Sequence, residues 1–232
     1  MALRALPARF RRARALRFYR QFVPRDGLCF DVGANMGNRT ELFVSLGARV
    51  VAVEPQTACI ETLRTRFGDG VTIVEGVAGP TPGQADLLVA SYHTLSTLSR
   101  EWIERVQASG RFAEFSWNET RQVPMTTLDA LVQEHGVPDF CKIDVEGFER
   151  EVIAGLSQPL PAISLEFDVE NRAPRLEALE RLHALGMTRF NYSQGESLRL
   201  ELSRWTDLAG IRAFLLGPAH TVETFGDVYA VN

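Results

Sequence analysis

Between Leu28 and Glu54 the chain spells out a strand, a turn, a helix and a second strand, and this unit restricts what the rest can become. An apolar run, Leu28-Cys29-Phe30, leads into Asp31-Val32-Gly33-Ala34-Asn35-Met36-Gly37-Asn38. An amphipathic stretch from Thr40 to Leu46 follows. A second apolar run, Val50-Val51-Ala52-Val53, then ends in Glu54, seventeen residues after Gly37. Glycines at such a turn let the backbone bend tightly and come close to a ligand. An acidic side chain at the end of the second strand can accept hydrogen bonds from ribose hydroxyls.

The same beat continues downstream. Further strands are expected at Val71–Glu75, Phe140–Asp144, Ala162–Phe167, Arg189–Tyr192 and Val228–Val231, several of them unbroken apolar runs suited to strands covered on both faces. Helices fall between them. Residues 57–67 place Ile60, Leu63 and Phe67 on one face. Thr126-Thr127-Leu128-Asp129 reads as a capping box before Leu131 and Val132, with Gly136 as the stop. Phe148, Val152, Ile153 and Leu156 line another helix. Pro174 fits a first helical position ahead of Leu176, Leu179, Leu182 and Leu185. Alternation of this kind predicts a doubly wound, mostly parallel α/β sheet in a three-layer, Rossmann-like sandwich. Ligands in such sheets bind at the carboxyl ends of the strands.

The turn narrows the ligand. It reads G-x-N-x-G, not the G-x-G-x-x-G that seats a pyrophosphate. An adenosine without phosphates, as in S-adenosylmethionine, fits it better. The residues expected at such a ligand are Asp31, Gly33, Asn35, Gly37, Asn38, Glu54 and Pro55.

A chain of 232 residues with 45% apolar and 23% charged residues is of ordinary size and composition for one globular domain. No apolar run approaches the ~20 residues that span a bilayer. Three cysteines without framework spacing, Cys29, Cys59 and Cys141, predict buried thiols and a cytoplasmic setting. Charge is unevenly spread. Residues 1–25 carry eight arginines and no acid, which leaves seventeen basic against twenty-nine acidic residues, a net of −12, in residues 26–232. The basic segment carries a helical apolar stripe at Leu6, Phe10, Ala13, Leu16, Tyr19 and Val23. It reads as a helical segment ahead of the main domain, either packed on it with a solvated arginine face, or touching anionic lipid, or serving as a targeting peptide. The acidic body makes nucleic acid a poor partner.

Two further stretches carry chemistry. Cys141-Lys142-Ile143-Asp144-Val145-Glu146-Gly147-Phe148-Glu149 places charges at the end of a predicted inner strand, where they need partners or a function. Asp144 is the candidate there for orienting a ligand. Glu146 and Glu149 read as first-turn acids that complement a helix dipole. Between Gly79 and Pro124 the regular beat breaks. Ala85–Ala90 reads as an additional strand, and residues 91–120 are polar and aromatic, with Tyr92, His93, Trp102, Phe112, Phe115 and Trp117. An insertion of that length reads either as a lid or binding loop for the second substrate, its tryptophans as stacking faces, or as a helix-bearing excursion that only covers the sheet edge.

The combination of F-D-V-G-A-N-M-G-N, V-E-P, T-L-D-A-L, K-I-D-V-E-G-F-E and the closing Gly226-Asp227-Val228-Tyr229-Ala230 resembles the FkbM family of S-adenosylmethionine-dependent methyltransferases, over roughly residues 26–231. The resemblance implies a class I methyltransferase fold with seven strands, the last one antiparallel. It also implies O-methylation of a hydroxyl on a sugar, glycan or polyketide-type product. It would set Gly33, Asn35 and Gly37 at the methionine part of the donor, Glu54 at the ribose and Asp144 beside the donor. An alcohol acceptor gains from a base, and the candidates are His93, Asp144, Glu166 and Asp168. Asp144 and Asp168 could together take Mg²⁺, but no metal-ligand spacing points to a resident metal. Two other readings keep the same sheet: a nicotinamide-dependent oxidoreductase, which lacks its glycine fingerprint and a Tyr-x-x-x-Lys pair, and a binding protein without chemistry.

Overall fold

The computed structural model describes residues 8–218 and 224–232. Ten strands, numbered along the chain, form two sheets among these residues. The main sheet holds β1 (Leu28–Val32), β2 (Arg49–Glu54), β3 (Thr72–Glu75), β7 (Phe140–Ile143), β8 (Ala162–Asp168), β9 (Arg189–Gln194) and β10 (Phe225–Val231). Their order is β3-β2-β1-β7-β8-β10-β9. β1, β2, β3, β7 and β8 pair in parallel, and β10 runs antiparallel to both β8 and β9. The order reverses between β1 and β7, so the crevice for a ligand lies above the carboxyl ends of these two strands.

The strands form because their side chains are covered on both faces. All of β1 and β7 are buried, and β2 is buried from Val50 onward. Phe30, Val32, Val51, Val53 and Ile143 pack on one side, against α5 (Leu128–His135), α6 (Glu149–Ala154) and α7 (Arg172–Ala184). Cys29, Val50, Ala52 and Phe140 pack on the other, with α1 (Ala8–Tyr19), α2 (Asn38–Ser45) and α3 (Thr57–Phe67). This is the expected three-layer arrangement, and the expected strands recur within a few residues of their ends.

Several local expectations shift. The capping box moves by one residue. Thr126 is the last residue of β6 (Glu119–Thr126), and Thr127 caps α5 by accepting from the Ala130 N–H at 3.0 Å. The Asp129 carboxylate accepts instead from the Ser157 N–H. Pro174 is the third residue of α7, not the first, still within the turn whose N–H groups lack helical partners. The extra strand is β5 (Gly83–Val89), and it pairs with β6, which pairs on its other side with the two-residue β4 (Val77–Ala78), in a second, three-stranded sheet. β6 escapes a reading by pattern because it is mostly polar, exposed and interrupted by Pro124. Helix α8 (Leu208–Leu215), capped by Asp207 through the Gly210 N–H, was also not expected.

α1 is built into the domain through the later half of the expected stripe, Leu16, Tyr19 and Val23, and not through its beginning. Leu6 lies outside the described residues, and Phe10 and Ala13 face solvent. The buried side chains are Ala15, Phe18, Tyr19, Phe22 and Val23. Phe22 stacks on Tyr229 at 5.0 Å and on Phe140 at 5.4 Å between ring centroids, and Tyr19 meets Phe43 edge-on at 5.2 Å. Residues 15–23 therefore complete the core that residues 26–232 begin. Phe22→Ala is expected to cost about 3–5 kcal/mol of unfolding free energy, read from urea denaturation. A loss below about 1 kcal/mol, the size of an ordinary surface change, would show that the aromatic cluster contributes little.

Candidate functional site

The site is assembled where the loops after β1, β2 and β7 meet. Gly33 has φ +83°, and a Cβ placed on it would lie 1.9 Å from the Asp144 carbonyl oxygen. Only glycine lets these two loops close on each other. The Gly33 and Ala34 N–H groups both donate to the Val53 carbonyl, at 3.0 and 3.1 Å. Asn35 is left-handed as well, with φ +49°, and this turns its N–H toward Glu54.

Glu54 is 2% exposed. One carboxylate oxygen accepts from the Asn35 N–H at 2.8 Å and the other from the Gln56 N–H at 2.9 Å. Burial raises its pKa, and these backbone donors oppose the rise. A carboxylate offers about four lone-pair directions, so Glu54 keeps acceptor capacity after holding two backbone amides. It lines a cavity of about 510 Å³, open to solvent, together with Gly33, Asn35, Pro55, His93 and Asp144.

Asp31, Gly37 and Asn38, expected at the ligand, are not in the cavity wall. Asp31 sits one residue out of phase with Phe30 and Val32, so its side chain enters the opposite face of the sheet. There it is 1% exposed and accepts from the Thr40 hydroxyl at 2.6 Å. Gly37 shapes the turn: its φ is +80°, and a Cβ would strike Leu63 and Phe67. Asn38 is exposed on the first turn of α2.

The second constellation holds a line of charges. Lys142 is 2% exposed and donates to Asp144 at 2.6 Å. Burial alone would raise the Asp144 pKa, but Lys142, with Arg39 and Arg175 behind it, outweighs burial and keeps the carboxyl below its ordinary value. Glu146, read from sequence as a dipole acid, instead has φ +50° and lines the cavity. Its carbonyl accepts from the Thr97 hydroxyl at 2.6 Å, and Trp102 packs so closely on Gly147 that a Cβ there would lie 2.4 Å away. Ligand-type oxygens of Asp144, Glu146 and Glu166 all lie within 4.8 Å of one another. Burial and the neighbouring carboxylates push Glu146 up to about 8 and Glu166 well above the ordinary range. Three carboxylates so close can take up a proton or a cation.

Glu149 is not a solvated first-turn acid either. It is fully buried, accepts from the Val145 N–H at 3.0 Å and pairs with Arg175. Arg175, 2% exposed, also reaches Asp168 at 3.2 Å and Glu166 at 3.9 Å. Asp168, a candidate base and metal partner of Asp144, is thus committed to Arg175 and to the Asn171 N–H at 2.7 Å. Nothing near Glu149 in the sequence points to Arg175, which lies on a helix 26 residues further on. An arginine at a leucine-lined helix face is the one signal that could have found it.

Residues 91–120 are joined to the cavity and not set apart from it. His93, Thr94, Ser96, Thr97 and Leu98 belong to the cavity wall. The His93 carbonyl accepts from Gln56 Nε2 at 2.9 Å, which ties this segment to the Glu54 loop. Trp102, on α4 (Arg100–Ala108), is 2% exposed and meets Trp117 edge-on at 6.0 Å, and Trp117 Nε1 donates to the Leu95 carbonyl. Both tryptophans hold the segment together, Trp102 with no open face and Trp117 half-buried against it. Tyr92, 49% exposed and stacked on Phe115, is the aromatic side chain at the surface.

A sequence model of the methyltransferase FkbM domain matches residues 31–215. The chain belongs to this family. It is a methyltransferase, and S-adenosylmethionine is its donor; the nicotinamide and binding-only readings fall with that membership. No curated protein matches the sequence significantly. Among solved structures, the precorrin-6y C5,15-methyltransferase of Geobacter metallireducens GS-15 is 13% identical, with a TM-score of 0.49 over 99% of this chain and 92% of that one. A TehB-like S-adenosylmethionine-dependent methyltransferase of Corynebacterium glutamicum is 11% identical, with a TM-score of 0.47 over 94% and 88%. An O-methyltransferase of Bacillus cereus, in complex with SAH, is 12% identical, with a TM-score of 0.45 over 99% and 84%.

Two substitutions in this FkbM protein separate the cavity from its surroundings. Gly33→Ala should lower affinity for S-adenosylhomocysteine more than tenfold by calorimetry, because the methyl group forces the β1 and β7 loops apart. Asn38→Ala, on an exposed turn, should leave it within about threefold, under 1 kcal/mol. Equal effects would show that the cavity at Gly33 is not where the donor binds.

Proposed function

We propose that this methyltransferase forms methyl ethers on a hydroxyl of a sugar, glycan or secondary metabolite, with the donor in the Glu54 cavity and the acceptor over Asp144, Glu146 and Glu166. The observation that carries the reading is the carboxylate group at the cavity edge, with one member held ionised by a buried lysine.

The cavity suits the donor chemically. Among the described residues its wall includes Glu54, Asp144 and Glu146 but neither lysine nor arginine. Such a wall repels a diphosphate and favours a cationic sulfonium. When bound, S-adenosylmethionine supplies an electrophilic methyl group. Glu54 would accept from the ribose hydroxyls with the lone pairs its two amide partners leave free. Gly33, by its missing side chain, would keep the Asp144 loop closed beside the donor's amino-acid end.

On the acceptor side, Asp144 stays ionised at neutral pH and can accept from the hydroxyl and orient it. Glu146 and Glu166 cannot both ionise readily beside it, so they hold a proton at low pH and release it as pH rises. Once one of them is free, it takes the hydroxyl proton as the oxygen–carbon bond forms and the carbon–sulfur bond breaks. Holding acceptor and methyl in line supplies most of the acceleration, and the base adds roughly 10²–10⁴-fold. His93 is set in the wall near Gln56, outside the carboxylate group, and it fits the donor side better than the role of base.

The sign of the pH effect follows. A base whose pKa is raised works only above that value, so the rate should climb through about pH 8, where Glu146 loses its proton. Glu166, pushed up further by burial and the Glu146 charge, is still protonated there, so Glu166→Gln should leave the climb near pH 8. Glu146→Gln should abolish it and lower kcat roughly 10²-fold. A flat profile from pH 6 to 9 in the wild type would remove the carboxylates from proton transfer. The reaction itself is tested with methyl-tritiated donor and extracted glycans and small hydroxylated metabolites. Label should enter an alkali-stable ether; label found only in methylamines or methyl esters would refute O-methylation.

A further inference from the structure

The outward face of α1 is the strongest charged feature that methyl transfer leaves unused. At 100° per residue, Phe10, Ala13 and Arg17 lie on one side of the helix, flanked by Arg9 and by Arg20 just beyond its end. Phe18 and Tyr19 lie on the other side and, with Phe22 in the turn after the helix, are locked into the aromatic core. The face is therefore held in a fixed orientation on the domain. All five of its residues are exposed, Phe10 by 50%. The helix has no acid of its own. Among the described residues only Arg12 of this helix has an acidic partner, Glu41 at 3.5 Å.

We propose that this face of α1 docks on an anionic lipid bilayer. Arginines flanking an exposed phenylalanine match the headgroup and upper acyl regions of such a surface. The Arg9 guanidinium lies 4.9 Å from the centre of the Phe10 ring, so the pair can enter the interface together. Charge complementarity selects the bilayer over nucleic acid. A membrane touches one face of the helix, whereas a polyanion that runs past the helix meets a body with a net charge of −12. The same acidic body turns away from an anionic membrane and orients the molecule with α1 toward it.

The test is flotation of the full-length chain with vesicles of phosphatidylcholine alone or with about one third phosphatidylglycerol, at 50 and 500 mM NaCl. Binding is expected only to the anionic vesicles and only at low salt. The triple variant Arg9→Ala, Arg17→Ala, Arg20→Ala should bind about a hundredfold more weakly, roughly fivefold per arginine. Phe10→Ala should weaken binding about tenfold. An unchanged melting temperature and unchanged S-adenosylhomocysteine affinity in these variants would show that the fold is intact. Equal binding to neutral vesicles, no binding at low salt, a triple variant that floats like the wild type, or tighter capture by duplex DNA at the same salt would each overturn the proposal. The wild-type vesicle and salt series decides the matter even if a variant fails to fold.

Discussion

The close approach of Gly33 to the Asp144 carbonyl is the contact on which the site depends. It brings together the loops after the two strands flanking the reversal of sheet order. Once they meet, the Asn35 N–H can reach Glu54, and Asp144 stands where Lys142 can hold it ionised. The left-handed turn at Glu146 then points a second carboxylate into the same cavity. A side chain of any size at residue 33 would disturb all three relations at once. The glycine serves here less as a flexible element than as a gap of fixed size.

Buried charge organises the other half of the site. Arg175 stands among Glu149, Asp168 and Glu166, and Glu149 in turn takes the Val145 N–H. Buried ion pairs of this kind add little net stability, because desolvation offsets their attraction, but removing one partner is costly. Their effect is on position. They fix the loop that carries Asp144 and Glu146 relative to the end of β8, and they keep the carboxylates from separating to relieve their repulsion.

How far the sequence discloses this depends on whether a role is local. Gly33 and Glu54 could be read because one strand–turn–helix–strand unit contains both. Asp31 misled because a strand alternates faces, and a one-residue phase decides whether a carboxylate meets a ligand or a helix. Glu146 and Glu149 looked like a helix's first-turn acids, since nothing nearby shows that Arg175 will stand beside one and Glu166 beside the other. Trp102 and Trp117 looked like open stacking faces, although each has a partner within the same excursion. β6 was hidden by its polar exterior and by Pro124. In each case the missing information is a contact between segments far apart in the chain, which periodicity does not encode.

The stacking of Phe22 on Tyr229 has a kinetic side. It joins the turn after α1, near the start of the sequence, to a strand near its end, across almost the entire chain. Closing so long a loop costs entropy that grows only with the logarithm of its length, so the final structure tolerates it. Contacts of that reach nevertheless form late, since the intervening strands must pair before the two rings have a surface on which to meet. α1 would then be the last element to seal the core, and until it does, Phe43, Phe140 and Tyr229 stay open to water and to neighbouring chains. During synthesis this apolar patch persists until β10 emerges, which makes the interval before α1 docks the one in which the chain is most prone to aggregate.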